Sequence, residues 1–114
     1  MNPDAAAHAE EQFWAVAGAL LDRPEVTRST MMGLPCLRRA GAFFASYDRR
    51  TGNLVVKLAE ARVADLIEAG EAEPFAPTGR RFRQWAAIPP AADTHDAAWT
   101  ALLAEAHDFA ALGG

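Results

Sequence analysis

Apolar residues recur with a helical period near both ends of this chain and with a period of two between them. That switch constrains the fold more than any other feature. Phe13, Trp14, Ala17, Leu20 and Leu21 fall at i, i+1, i+4, i+7 and i+8, one apolar stripe on a helix that Pro3 and Asp4 open and Pro24 closes. Residues 35–39, 42–47 and 54–58 then read as strands. Gly41 separates the first two and can take the positive φ of a tight turn, and the polar stretch 48–53 with Gly52 separates the next two. A second helix turns Val63, Leu66 and Ile67 inward, with Gly70 placed to end it. Residues 73–76 read as a fourth strand, Thr78-Gly79 as a turn, and 82–88 as a fifth strand stopped at Pro89-Pro90. Asp93 or Thr94 can cap a third helix, whose inner face is Trp99, Leu102, Leu103, Ala106 and Phe109 or Ala110, ending at Gly113 and Gly114.

The order is αβββαββα. It predicts a two-layer α+β fold, an antiparallel five-stranded sheet with helices on one face. The 114 residues suit one domain over 1–114. A chain of this size buries about two-thirds of its unfolded surface and needs no disulfide or metal to fold. With 51% hydrophobic and 23% charged residues it is neither disordered nor a disulfide scaffold. Its lone cysteine, Cys36, has no internal partner and fits a reducing, cytoplasmic setting. The apolar run 13–21 follows Asp4, Glu10 and Glu11 rather than basic residues, so it reads as a helix and not a secretory signal. It also falls short of the ~20 residues that a membrane span requires, and no membrane partner is expected.

Catalytic chemistry is not what the residues point to. His8, His95 and His107 lack the spacing of a metal site, which needs three or four convergent ligands. No base or helix start is placed to activate Cys36, which reads as a small buried residue. Neither a phosphate-binding glycine loop nor a nucleophile elbow is present. The expectation is a protein without enzymatic activity or cofactor.

Charge is segregated along the chain. Residues 28–83 carry ten Lys and Arg against six Asp and Glu, a net of +4, whereas 1–27 and 84–114 each carry −4. A basic middle hints at an anionic partner, and mutual neutralisation on folding is the plainer reading. The acidic residues Glu60, Asp65, Glu68, Glu71 and Glu73 read as a solvated helix face and its following loop. Strand alternation over 82–88 predicts Arg81, Arg83 and Trp85 on one side and Phe82, Gln84, Ala86 and Ile88 on the other. It also turns Lys57 away from Leu54, Val56 and Leu58. Arg38, Arg39, Lys57, Arg80, Arg81, Arg83 and Trp85 thus form a candidate set for weak nucleic-acid binding, by phosphate contact and stacking. Ordinary solvation with arginine stems lying on Trp85 is the competing account.

Several blocks carry a family resemblance. Met31-Met32-Gly33-Leu34-Pro35-Cys36-Leu37, Gly41-Ala42-Phe43-Phe44-Ala45 and Leu54-Val55-Val56-Lys57-Leu58 are followed by Arg62-Val63, by Gly70-Glu71-Ala72-Glu73-Pro74-Phe75 and by Arg83-Gln84-Trp85. Together, from Met31 to Ile88, they resemble the TfoX N-terminal domain and the related YjbR/MmcQ-like proteins. Met32, Gly33, Phe44, Lys57, Phe75 and Trp85 match the pattern. Leu34 stands where that pattern has a second glycine, and Ala42 where it has a hairpin lysine. The resemblance implies a fold similar to type III secretion chaperones and a regulatory or DNA-binding role without a catalytic residue. Alongside nucleic acid, a protein partner in a chaperone-like adaptor and a second copy of the chain are the other expected partners.

Overall fold

The computed structural model describes residues 3–31, 33–76, 79–89 and 95–112, with the side chains of 3–9, 31, 95 and 96 outside that description. The roles expected of Met32, Thr78, Pro90, Asp93, Thr94, Gly113 and Gly114 fall outside the described residues. Three helices and six strands follow one another as α1 (Pro3–Leu21), β1 (Val26–Met31), β2 (Leu34–Arg39), β3 (Ala42–Asp48), β4 (Asn53–Lys57), α2 (Glu60–Glu68), β5 (Glu73–Pro74), β6 (Trp85–Ile88) and α3 (His95–Ala111). The sheet order is β1-β2-β3-β4-β6-β5, with every neighbouring pair antiparallel. The expected two-layer α+β fold is therefore present, with six strands in place of five.

The added strand is β1, which pairs along its whole length with β2, from Val26 opposite Arg39 to Met31 opposite Leu34. The expected fifth strand is shorter than 82–88. β6 begins only at Trp85, and 82–85 form a tight turn in which the Trp85 N–H donates to the Phe82 carbonyl at 3.1 Å. The Phe82 N–H donates to the Phe75 carbonyl at 3.0 Å, closing the loop that leaves the ladder after Pro74 and rejoins it at Trp85. Proline has no N–H to carry that ladder further.

The turns follow their residues. Ala40 and Gly41 both have positive φ, 48° and 88°, as a two-residue turn between β2 and β3 requires. Gly70 at φ 77° ends α2, its N–H donating to the Ile67 carbonyl at 3.1 Å.

Helix contacts define one side of the sheet. Leu37, Phe44, Ala45, Tyr47, Leu54, Val56, Ala86 and Ile88 form a core with Phe13, Ala17 and Leu20 of α1, Val63 and Leu66 of α2, and Trp99, Leu103 and Ala106 of α3. A β-bulge shapes it: Leu37 pairs with Ala45 and Arg38 with Phe43, which leaves Phe44 as the extra residue. Phe44 is fully buried in that core, its ring edge-on to His107 at 5.7 Å.

Candidate binding face of the sheet

Residues alternating with the core positions look the other way. Cys36, Val55 and Ala87 are buried but do not belong to the helix-side core. The register places them in one transverse line, Ser29–Cys36–Ser46–Val55–Ala87–Glu73, that crosses all six strands. Ser46 in that line donates its hydroxyl to the Pro35 carbonyl at 2.9 Å. This face has a floor of small side chains, and among the described residues the helices build their core on the other side.

Beside that floor runs a second line of larger groups. Arg38 lies opposite Phe43, and Lys57 lies opposite Trp85. The Arg38 guanidinium sits 4.7 Å from the Phe43 ring centre, and its Nε donates to the Gly41 carbonyl at 3.1 Å. Trp85 is half-buried and packs with Phe75, their ring centres 6.4 Å apart. Phe75 in turn meets Phe82 at 5.9 Å, and Phe82 is 40% exposed. On the far side of the floor Asp48 and Asn53 pair across β3 and β4, with Asp48 accepting from the Arg50 backbone N–H at 2.9 Å.

Among the predicted site residues, Arg38, Lys57 and Trp85 are brought together on this face. Arg80 and Arg81 are exposed in the loop between β5 and β6. Arg83 lies in the turn before β6, not in a strand, and pairs with Glu60 of α2 at 3.5 Å, both side chains well exposed. The alternation that grouped Arg81, Arg83 and Trp85 does not apply there, because no strand exists before Trp85.

Arg39 is a correction. Alternation along β2 puts it with Leu37, toward the helices, where it donates to the His107 carbonyl of α3 at 2.9 Å. His107 is 1% exposed and its Nε2 lies 3.4 Å from Glu25 Oε1. The Glu25 carboxyl is held below its ordinary range, chiefly by its own backbone N–H, with His107 and Arg39 adding to the effect. Arg39 therefore ties α3 to the α1–β1 connection and is unavailable to a ligand. The buried His107 was not expected from sequence, although it continues the inward series Trp99, Leu103 in four-residue steps.

The remaining arginines sort by face. Arg49 pairs with Glu10 of α1, Arg50 with Asp48 at 3.3 Å, and Arg62 with Glu105 of α3 at 2.7 Å. Arg28 covers the Trp14 ring at 4.1 Å on the helix side. Among the described residues Arg23, Arg28, Arg38, Lys57, Arg80 and Arg81 have no carboxylate partner, and Arg23 is exposed in the α1–β1 connection. Among these residues, too, no group of three or more His, Cys, Asp or Glu is placed to hold a metal ion, and no helix is long and apolar enough to cross a membrane.

Cys36 lies on the floor of this face, fully buried, and burial pushes its thiol pKa up against weaker opposite pulls from Ser29 and Arg38. A disulfide-exchange reagent near neutral pH is expected to label it many times more slowly in the native protein than in denaturant. Equal rates would show that the floor opens readily. Burial raises the Tyr47 pKa as well. A raised folded-state pKa for an acid means that the unfolded chain releases the proton first, so stability falls as pH rises. The urea midpoint is expected to drop between about pH 8 and about pH 10.

Compared with family models, with curated proteins and with solved structures, the chain gives no match.

Proposed function

We propose that the chain is a non-enzymatic binding module of the TfoX/YjbR type whose working surface is the helix-free face of the sheet and whose partner is nucleic acid. One observation carries this reading: of the six cations without a carboxylate partner among the described residues, four, Arg38, Lys57, Arg80 and Arg81, belong to that face or to the loop beside it, while Arg23 lies in the α1–β1 connection and Arg28 is laid on Trp14. The other cations, Arg39, Arg49, Arg50, Arg62 and Arg83, are paired with Glu25, Glu10, Asp48, Glu105 and Glu60. A positive surface beside rings suits a phosphate backbone, while the net charge of −4 keeps affinity low by long-range repulsion.

Fluorescence anisotropy with a short duplex and a short single strand, titrated from low to moderate salt, tests the reading. With ~4 phosphates contacted, log K on duplex should fall with log salt at a slope near −3 to −4. The dissociation constant near physiological salt is expected at about 10 μM or weaker, the range of non-specific binders. Lys57→Ala with Arg81→Ala should lower affinity for both probes and flatten the slope. Unchanged anisotropy at low salt with ~100 μM protein overturns the proposal.

A protein-adaptor reading rests on a different place. α2 and α3 leave an apolar groove lined by Leu66, Ile88, Pro89, Ala98, Ala101 and Leu102, with the Arg62–Glu105 pair at its rim.

A further inference from the structure

We infer that the helix-free face takes single-stranded nucleic acid, with bases stacked on its rings and phosphates on the cations between them, in preference to duplex. The inference rests on the reading above and gives the ligand class for the same surface.

The aromatic side chains carry the argument. Phe13, Phe44, Tyr47 and Trp99 are fully buried among the helices. Phe43, Phe75, Phe82 and Trp85 are half-buried or exposed, and Phe75 packs against both Phe82 and Trp85. A duplex keeps its base faces stacked inside and offers phosphates and groove edges, so rings gain little from it. This face also has no projecting helix or ribbon to enter a major groove, which is about 12 Å wide. A single strand exposes base faces, and every base has one, so stacking on such rings is sequence-tolerant.

Spacing supports the same ligand. Arg38 and Phe43 stand opposite each other across β2 and β3, Lys57 and Trp85 across β4 and β6. In strand order from β2 to β6 these groups are cation, ring, cation, ring, with Phe43 stepped along β3 by one residue from the position facing Lys57, because Ala45 lies opposite Val56. Phe43 and Trp85 stand two strand spacings apart, roughly 10 Å, with Lys57 on the strand between them. Arg38 lies over Phe43, and its guanidinium plane is itself a surface on which a base can stack. Arg80 and Arg81 are exposed in the β5–β6 loop and directly precede the exposed Phe82 in the chain.

The experiment is anisotropy at low salt with four labelled probes of equal length: oligothymidine, oligouridine, a mixed-sequence duplex and an abasic strand with the same phosphates. The two base-bearing strands should bind at least ~10-fold more tightly than the abasic strand, as base–aromatic stacking predicts. Duplex should bind no better than the abasic strand. Phe43→Ala and Phe82→Ala should each weaken oligothymidine binding about fivefold or more while leaving abasic binding unchanged. Phe82 is exposed enough that its variant stays folded, and a urea melt of each variant checks this. A difference between oligouridine and an added oligodeoxyuridine strand, which share a base, assigns the natural strand to DNA or RNA through the 2′-hydroxyl. Equal binding of all four probes overturns the stacking inference and leaves a charge-only surface. Tighter binding of duplex also overturns it. If none of the four binds, the underlying assignment of nucleic acid to this face falls.

Discussion

Trp99→Ala is expected to cost about 3–5 kcal/mol, as truncation of a large core aromatic does. Trp99 is fully buried on α3 and lies beside Tyr47 of β3, their ring centres 6.5 Å apart. It sits where α3 crosses the middle of the sheet, so no neighbouring side chain can collapse into the space it leaves without moving the helix. A domain of this size holds roughly 5–15 kcal/mol in all, so the variant should unfold in dilute urea or be partly unfolded without it. Chemical denaturation followed by circular dichroism measures the loss. A cost under about 1 kcal/mol, the range of ordinary surface changes, would show that α3 is not anchored through this ring.

Two adjacent arginines should give opposite results. Arg39→Ala removes the donor to the His107 carbonyl and a cation 3.9 Å from Glu25, both at the junction of α3 with the α1–β1 connection. Hydrogen bonds from charged groups contribute about 1.5–3 kcal/mol. With the Arg39 side chain 24% exposed, solvent screening places the expected loss near the lower end, about 1–2 kcal/mol. Nucleic-acid affinity should not change. Arg38→Ala removes the guanidinium from Phe43 and should leave the urea midpoint almost unmoved, because that cation lies on the solvent side of β2. Its effect should appear in the binding titration instead. The crossed outcome, with binding lost in Arg39→Ala and stability lost in Arg38→Ala, would reverse the assignment of the two faces.

What the sequence made legible follows from which residues touch the core. The stripe Phe13, Ala17, Leu20 and the series Trp99, Leu102, Leu103, Ala106 are buried as their periods require. Leu54, Val56 and Leu58 point one way and Lys57 the other. β1 was invisible to the same reasoning because it is an edge strand with little to bury. Its inward positions are Val26, Arg28 and Thr30, and Arg28 is satisfied by lying on Trp14 rather than by entering the core. The remaining signal was compositional, the β-branched Val26, Thr27 and Thr30. The overextended strand 82–88 shows the converse error. Phe82, Gln84, Ala86 and Ile88 alternate in type, but only Ala86 and Ile88 are buried. The site was half legible for a related reason. Alternation identifies an outward Lys57 and Trp85, and in Leu37-Arg38-Arg39 it sets Arg39 on the side of the apolar Leu37 and Arg38 opposite, a distinction that grouping both arginines passed over. What no local pattern contains is the pair of long-range partners, Glu25 and His107, that lets a charged Arg39 occupy the inward position.

The bulge at Phe44 makes the outward position of Phe43 depend on counting rather than chemistry. In a regular strand a ring two positions before the inward Ala45 would face the helices too, and the extra residue turns it away. Loss of one triplet at 44 would set Phe43 directly before Ala45, where regular alternation keeps it outward and opposite Arg38. The cost of that deletion would fall on the interior instead, as a hole where the Phe44 ring meets His107. Descendants of this chain can therefore shorten the hairpin without disturbing its outer surface, provided another side chain fills that hole.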